Sequence, residues 1–212
     1  MGYRAVLAAA RRHDVWVLTH MGSVPALRAA LHDEPDGARV RVHGVPFAVR
    51  EPGRSTAGVL TFQWHYNRWQ RDVARVAAEL DAEIDFDVVH HVTLASYWTR
   101  AGVAAVDKPL VWGPVGGGVE PPLRLLSQLG PAGLAEHALR FAGRPLTARL
   151  PFARQAAERA AVVFAQNPPT ARRLRARGDV RLLSQLGPAG LAEHALRFAG
   201  RPLTARLPFA RQ

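Results

Sequence analysis

The chain has 212 residues, of which 48% are hydrophobic, and this is enough to bury one sizeable core. It contains no cysteine, which excludes disulfide bonds, thiolate metal sites and cysteine nucleophiles. The net charge of +11 comes from arginine, because Lys108 is the only lysine, and the arginines are dispersed without interleaved aromatic residues. This charge therefore does not predict a specific nucleic-acid partner.

Apolar segments alternate along the chain between the period of a helix and that of a strand. The predicted helices cover residues 3–12, 23–32, 61–84, 95–106, 134–142, 147–160 and 168–177. The predicted strands cover residues 14–19, 38–45, 86–92, 109–112 and 161–165. Short apolar strands separated by helices are typical of a parallel sheet covered on both faces, so we predict an α/β, Rossmann-like fold.

Two features fall where the strands of such a sheet end, which is where ligands of parallel sheets bind. His90 and His91 end the third predicted strand, and the glycine-rich run 113–118 follows the fourth. A neutral imidazole hydrogen-bonds a hydroxyl or a phosphate oxygen, and glycines let the backbone approach a ligand closely. The alternatives are a histidine pair that only packs or caps the strand, and glycines that form an ordinary turn.

Other candidates follow from position alone. Thr93 and Asn167 come just after strands, and they either line a cleft or cap the next turn. Glu120 lies just past the glycine-rich run, and its carboxylate either orients a ligand hydroxyl or is exposed to solvent. Three tryptophans either form an apolar wall for a ligand or pack in the core: Trp64, Trp69 and Trp98. No residues have the spacing of metal ligands, so we expect neither a metal nor a cofactor.

Residues 124–155 and 181–212 are identical, letter for letter. Repeat proteins drift in sequence and need three or more units, so two identical copies indicate a recent duplication or a misjoin at the shared Arg-Leu-Leu. We therefore divide the chain into a Rossmann-like domain, 1–180, and a helical copy, 181–212. Leu134, Leu139 and Phe141 are expected to pack on the sheet or its neighbouring helices, which leaves the second copy poorly docked.

Three separated segments carry a resemblance to a known family: FDVVHHVTLASYWTR, KPLVWGPVGGGVEPP and RAAVVFAQNPPTARRL. In order and spacing they resemble the N-terminal, acceptor-side domain of family 4 glycosyltransferases, which have the two-domain GT-B fold. The resemblance covers most of residues 1–180. It implies transfer of a sugar from a nucleotide sugar to an acceptor, without a metal. The implied location is the cytoplasm or, for a lipid-linked acceptor, the membrane surface.

The resemblance also implies roles for residues of this chain. His90 and His91 are the implied catalytic residues. The implied substrate-binding residues are Thr93, Gly113, Gly116, Gly117, Gly118, Glu120 and Asn167.

Family members begin with a strand that precedes the helix with which this chain starts. The resemblance thus implies a sheet without its central strand, with neighbouring strands left unpaired or drawn together, and a domain of marginal stability. The family's nucleotide-binding domain has no counterpart in these residues, so the chain alone is expected to transfer sugar slowly or not at all. The alternatives are a non-catalytic acceptor-binding or regulatory fragment and a different Rossmann-like nucleotide-binding protein.

Overall fold

The computed structural model describes residues 2–47, 56–119, 126, 128, 130–174 and 176–182. The helices are α1 (Gly2–Ala10), α2 (Val24–His32), α3 (Thr56–Ile84), α4 (Gly130–Thr147), α5 (Pro151–Arg159) and α6 (Pro168–Arg173). The strands are β1 (Val15–His20), β2 (Val40–Val45), β3 (Val89–His91), β4 (Leu110–Val115), β5 (Ala160–Ala165) and β6 (Asp179–Leu182). Short 3-10 helices cover Met21–Ser23, Gly37–Arg39 and Gly102–Ala105.

The strands form two parallel sheets. β1 pairs with β2 in the first sheet, and β3, β4, β5 and β6 lie in that order in the second. Helices connect the strands and pack against them, as parallel pairing requires. The prediction of an α/β, Rossmann-like fold is therefore confirmed for the described residues.

The core lies around the two central strands of the larger sheet. Every residue of β4 is buried, and Trp112 and Phe164 are each 1% exposed. The sequence of a strand that is covered on both faces is a continuous apolar run, and β4 and β5 have this pattern. Helix α5 packs on them through Ala156 and Ala157, small side chains that let the helix approach closely.

A cavity of about 1110 Å³ lies between the two sheets, with β1 on one side and β3 on the other. The ends of the two strands are level: the Trp16 and Phe86 ring centroids are 5.6 Å apart at the amino ends. At the carboxyl ends of β1 and β3, Gly2 contacts Thr93. The contact is close, because a Cβ atom added to Gly2 would lie 3.3 Å from Thr93 Cγ2. β1 and β3 are thus held apart across the cavity and do not pair with each other.

The helix predicted over residues 95–106 is wrong, because only Gly102–Ala105 forms a 3-10 turn. Backbone groups in this segment bond to other parts of the chain. Arg100 N donates to Asn67 Oδ1 at 2.8 Å, and Gly102 N donates to Gln70 Oε1 at 2.6 Å. Side chains of α3 therefore take the backbone donors that an α-helix would use internally.

One expectation about the repeated segment is also corrected. Leu134, Leu139 and Phe141 do not pack on the sheet, because α5 and not α4 covers β4 and β5, and their exposed fractions are 42%, 49% and 51%. Arg181 and Leu182, the first residues of the second copy, continue β6 and pair with β5. The rest of the predicted helical copy, residues 183–212, lies outside the described residues.

Candidate functional site

His90 occupies the middle of β3 and is half-buried. Its Nε2 lies 3.0 Å from the carbonyl oxygen of Gly113, which can only accept, so Nε2 carries the proton and Nδ1 is free to accept. Burial lowers the pKa of His90 to about 4, against a smaller opposing effect of the bond to Gly113. The imidazole is therefore neutral at physiological pH.

His91, the last residue of β3, is 8% exposed and lines the cavity. Burial, and to a smaller extent the neighbouring His90, lower its pKa to about 4 as well. Among the described residues its Nε2 has no hydrogen-bond partner. Leaving a buried polar group unpaired costs about 1–3 kcal/mol, so this nitrogen is a natural place for a ligand group or a water.

The glycine-rich turn after β4 is shaped by packing inside the protein. Gly117 has φ of 98°, and a Cβ on it would lie 1.9 Å from Trp98 Cζ3. Gly116 N donates to Ala95 O and Gly118 N donates to Thr170 Oγ1, each at 2.9 Å. These two amides are thus not available to a ligand, and the interpretation as a structural turn accounts for them.

Asn167 caps helix α6, which was one of the two roles predicted for it. Its Oδ1 accepts from Thr170 N at 3.0 Å and from Thr170 Oγ1 at 2.8 Å. Since Thr170 Oγ1 in turn accepts from Gly118 N, a chain of hydrogen bonds joins the start of α6 to the glycine-rich turn. Thr170 is fully buried, so this chain fixes the turn relative to β5.

Sequence reasoning missed two cations beside this turn. The guanidinium of Arg144 lies 4.6 Å from the Trp98 ring centroid, and its Nη1 is 3.4 Å from Gly117 O. Arg173 Nη1 donates to the Tyr97 hydroxyl at 3.2 Å. No local pattern could reveal them, because each arginine meets its aromatic partner only through the fold.

The structure therefore brings only part of the predicted site together. His90, the glycine-rich segment 113–118, whose first three residues end β4, and Asn167 form one connected edge at the carboxyl ends of β3, β4 and β5. Thr93 is exposed next to the start of α1 and lines the same cavity as His90 and His91, and Glu120 lies outside the described residues.

The three tryptophans do not form a wall. Trp64 is 60% exposed on α3, while Trp69 donates to Val45 O at 3.3 Å and Trp98 packs on Gly117. The packing interpretation therefore applies to Trp69 and Trp98.

The fold and the site define a parallel α/β protein with a neutral histidine pair and a glycine-rich turn at the carboxyl edge of its larger sheet. Within the described ranges, no cluster of histidine, aspartate and glutamate side chains could hold a metal ion. No helix in that part of the chain is long and apolar enough to cross a bilayer. No family model, curated protein or solved structure matches the chain.

Proposed function

We propose that these residues form the acceptor-side domain of a GT-B glycosyltransferase of family 4. The observation that carries the proposal is the neutral histidine pair at the carboxyl edge of a parallel sheet, with one buried imidazole nitrogen unpaired among the described residues. Carboxyl edges are where parallel sheets bind ligands. The three segment resemblances supply the identity of the ligand, a sugar acceptor.

The two histidines have different roles in this proposal. His90 presents Nδ1 as an acceptor, because its Nε2 is held by Gly113, and so it accepts a hydrogen bond from a hydroxyl group. His91 offers a buried polar nitrogen to the same or a neighbouring sugar oxygen. With pKa values near 4 both are neutral, so they orient an acceptor hydroxyl and do not neutralise a leaving diphosphate.

Turnover then depends on electrostatic stabilisation of the diphosphate by groups outside this site. Arg144 and Arg173 lie beside the glycine-rich turn, and both already contact aromatic side chains. In the proposal they order the turn against the sheet. Acceptor binding is accordingly the property to test first.

A nucleotide-binding Rossmann-like protein is the second candidate, and the glycine-rich turn is the observation that favours it. A phosphate cradle needs several free backbone N–H groups. Gly116 and Gly118 have already donated theirs to Ala95 and Thr170, which places this candidate second.

The test is ligand-observed NMR with the 212-residue protein. One panel contains methyl glycosides of common hexoses, and the other contains uridine and guanosine diphosphate sugars. We expect saturable binding of at least one glycoside, weakened about tenfold or more by His91→Ala and by His90→Ala, the loss of about 1.4 kcal/mol. His32→Ala is the matched control, because His32 is an exposed histidine at the end of α2.

The outcomes separate the candidates. Nucleotide binding without glycoside binding would favour the second candidate. Glycoside binding that neither histidine variant changes would contradict the assigned roles. Steeply salt-dependent binding to DNA or RNA would contradict both candidates.

A further inference from the structure

The apolar side of helix α4 faces away from the rest of the described chain. Two rows of side chains at helical spacing form this side, and all of them are exposed: Leu134, Ala138, Phe141 and Pro145 in one row, and Ala135, Leu139, Ala142 and Leu146 in the other. Leu146 is 61% exposed. An amphipathic helix of a globular protein normally buries its apolar side, so this side requires a cover.

The opposite side of α4 holds the helix against the larger sheet. The guanidinium of Arg144 lies 4.6 Å from the centroid of the Trp98 ring, and its Nη1 is 3.4 Å from Gly117 O. Ala148, just after the helix, packs against the larger core cluster. The carboxyl end of α4 is therefore fixed beside the glycine-rich turn, with the apolar rows pointing outwards.

The chain contains a second segment with the same two apolar rows. Residues 187–204 repeat the sequence of α4 letter for letter, and they lie outside the described residues. The large apolar residues of this second copy are Leu191, Leu196, Phe198 and Leu203. Two identical surfaces related by a twofold axis are self-complementary, because each contact between two positions occurs twice. The uncovered side of α4 and the second copy therefore match each other in shape and polarity.

The second copy begins close to α4. β6 ends at Leu182, at the same carboxyl edge of the sheet as the glycine-rich turn that Arg144 contacts. β6 and β4 are two strand spacings apart, about 10 Å, and the segment from Leu182 to Leu191 can extend to about 30 Å. The second copy thus enters at the carboxyl end of α4, and from there it runs antiparallel to it. So short a tether keeps it at about millimolar effective concentration, which favours it over a separate molecule.

We infer that the exposed apolar side of α4 is the docking site of residues 187–204 of the same chain, which bind there as an antiparallel helix. One register places every large apolar residue opposite another: Leu134 with Leu203, Leu139 with Phe198, Phe141 with Leu196, and Leu146 with Leu191. The two copies of the repeated segment then cover each other. The inference is independent of the glycosyl-transfer proposal.

Disulfide trapping tests the contact and its direction, because the chain has no cysteine of its own. Leu134→Cys combined with Leu203→Cys places two thiols opposite each other, so mild oxidation should link most chains internally, seen as a faster-migrating monomer on a non-reducing gel. Leu134→Cys combined with Leu191→Cys is the matched control. Leu191 and Leu203 are about 18 Å apart along a helix, so the control links only if the two helices are parallel.

Proteolysis tests the twofold relation. Glutamyl endopeptidase cleaves after Glu193 only when the second copy opens, and the lengths of the fragments identify this cut. Leu139→Gln and Leu196→Gln change equivalent contacts in the two copies, so we expect each to raise the rate of this cut about tenfold, the equivalent of about 1.4 kcal/mol. Arg197→Gln is the control, since it lies one position further along, on the polar side of the same helix, and should leave the rate unchanged.

The outcomes distinguish the possible covers of α4. Disulfide-linked dimers in place of linked monomers would overturn the inference in favour of a second molecule. Faster linking in the control pair would overturn the antiparallel direction. Binding to vesicles of phosphatidylcholine and phosphatidylglycerol, without a link in either pair, would assign the apolar side to a lipid surface. If a cysteine pair does not fold, proteolysis decides: an effect of Leu196→Gln without an equal effect of Leu139→Gln would refute the docking.

Discussion

At the scale of single residues, the histidine pair makes stability depend on pH. His91 has a pKa of about 4 in the folded protein and about 6.5 when unfolded, so the unfolded chain binds more protons between these values. The contribution of His91 to the unfolding free energy is complete above pH 6.5. It is lost as the pH falls towards 4, and the total loss is about 3 kcal/mol. We expect His91→Phe to flatten the decline in unfolding free energy between pH 7 and pH 5, measured by urea denaturation.

The exposed His32 provides the comparison for this experiment. His32→Phe also removes an imidazole, but from a site in contact with solvent, and so it corrects for changes in the unfolded chain. If the wild type and His91→Phe lose stability in parallel as the pH falls, His91 is not desolvated as described.

A second prediction at this scale concerns glycine. Gly117→Ala forces a side chain into φ of 98° and into the Trp98 ring, and we expect a loss of at least about 2 kcal/mol in unfolding free energy. Gly143→Ala is the matched control in helix α4, where a Cβ would meet nothing within 4 Å. It should stabilise the protein by about 0.5–1 kcal/mol, and equal effects of the two variants would refute the packing explanation.

At the scale of elements, helix α6 fixes the glycine-rich turn through one hydroxyl. Thr170→Val keeps the shape of the side chain but leaves Gly118 N and Asn167 Oδ1 without this partner, so we expect a loss of about 1–3 kcal/mol and faster hydrogen exchange in residues 113–118. Thr147→Val is the control, since that hydroxyl only adds to carbonyls within its own helix. Unchanged exchange of the turn in Thr170→Val would show that the turn is fixed by other contacts.

The helices and strands show which parts of the fold sequence patterns can predict. Most of the helices and strands were predicted within a few residues, because continuous apolar runs and helical periods are local signals. The segment 95–106 was missed because its backbone is bonded by Asn67 and Gln70, residues of α3 that lie far away in sequence. The sequence did not predict Arg144 and Arg173 as site residues, because their aromatic partners are also distant in sequence. It did predict His90, because the end of a strand is a local signal.

At the scale of the whole molecule, the buried apolar residues form a smaller and a larger packing unit. Val24, Leu31 and Val42 form the cluster beside β1 and β2, while a larger cluster contains Val163 and Trp112, and Leu18 of β1 also packs against this larger cluster. No described backbone pairing joins the two sheets. The smaller unit buries less apolar surface, so we expect it to open at a lower free energy than the four-stranded sheet.

Native-state hydrogen exchange with two matched valine variants tests this. Val42→Ala should lower the opening free energy of β1 and β2 by about 2 kcal/mol and leave the exchange of β4 and β5 unchanged. Val163→Ala removes the same two methyl groups from the larger cluster, and it should lower the opening free energy of β4 and β5 without changing the local opening of β1 and β2. A single opening free energy shared by all four strands would mean that the contacts between the units couple them, namely those of Leu18 with the larger cluster, of Trp69 with Val45 and of Gly2 with Thr93.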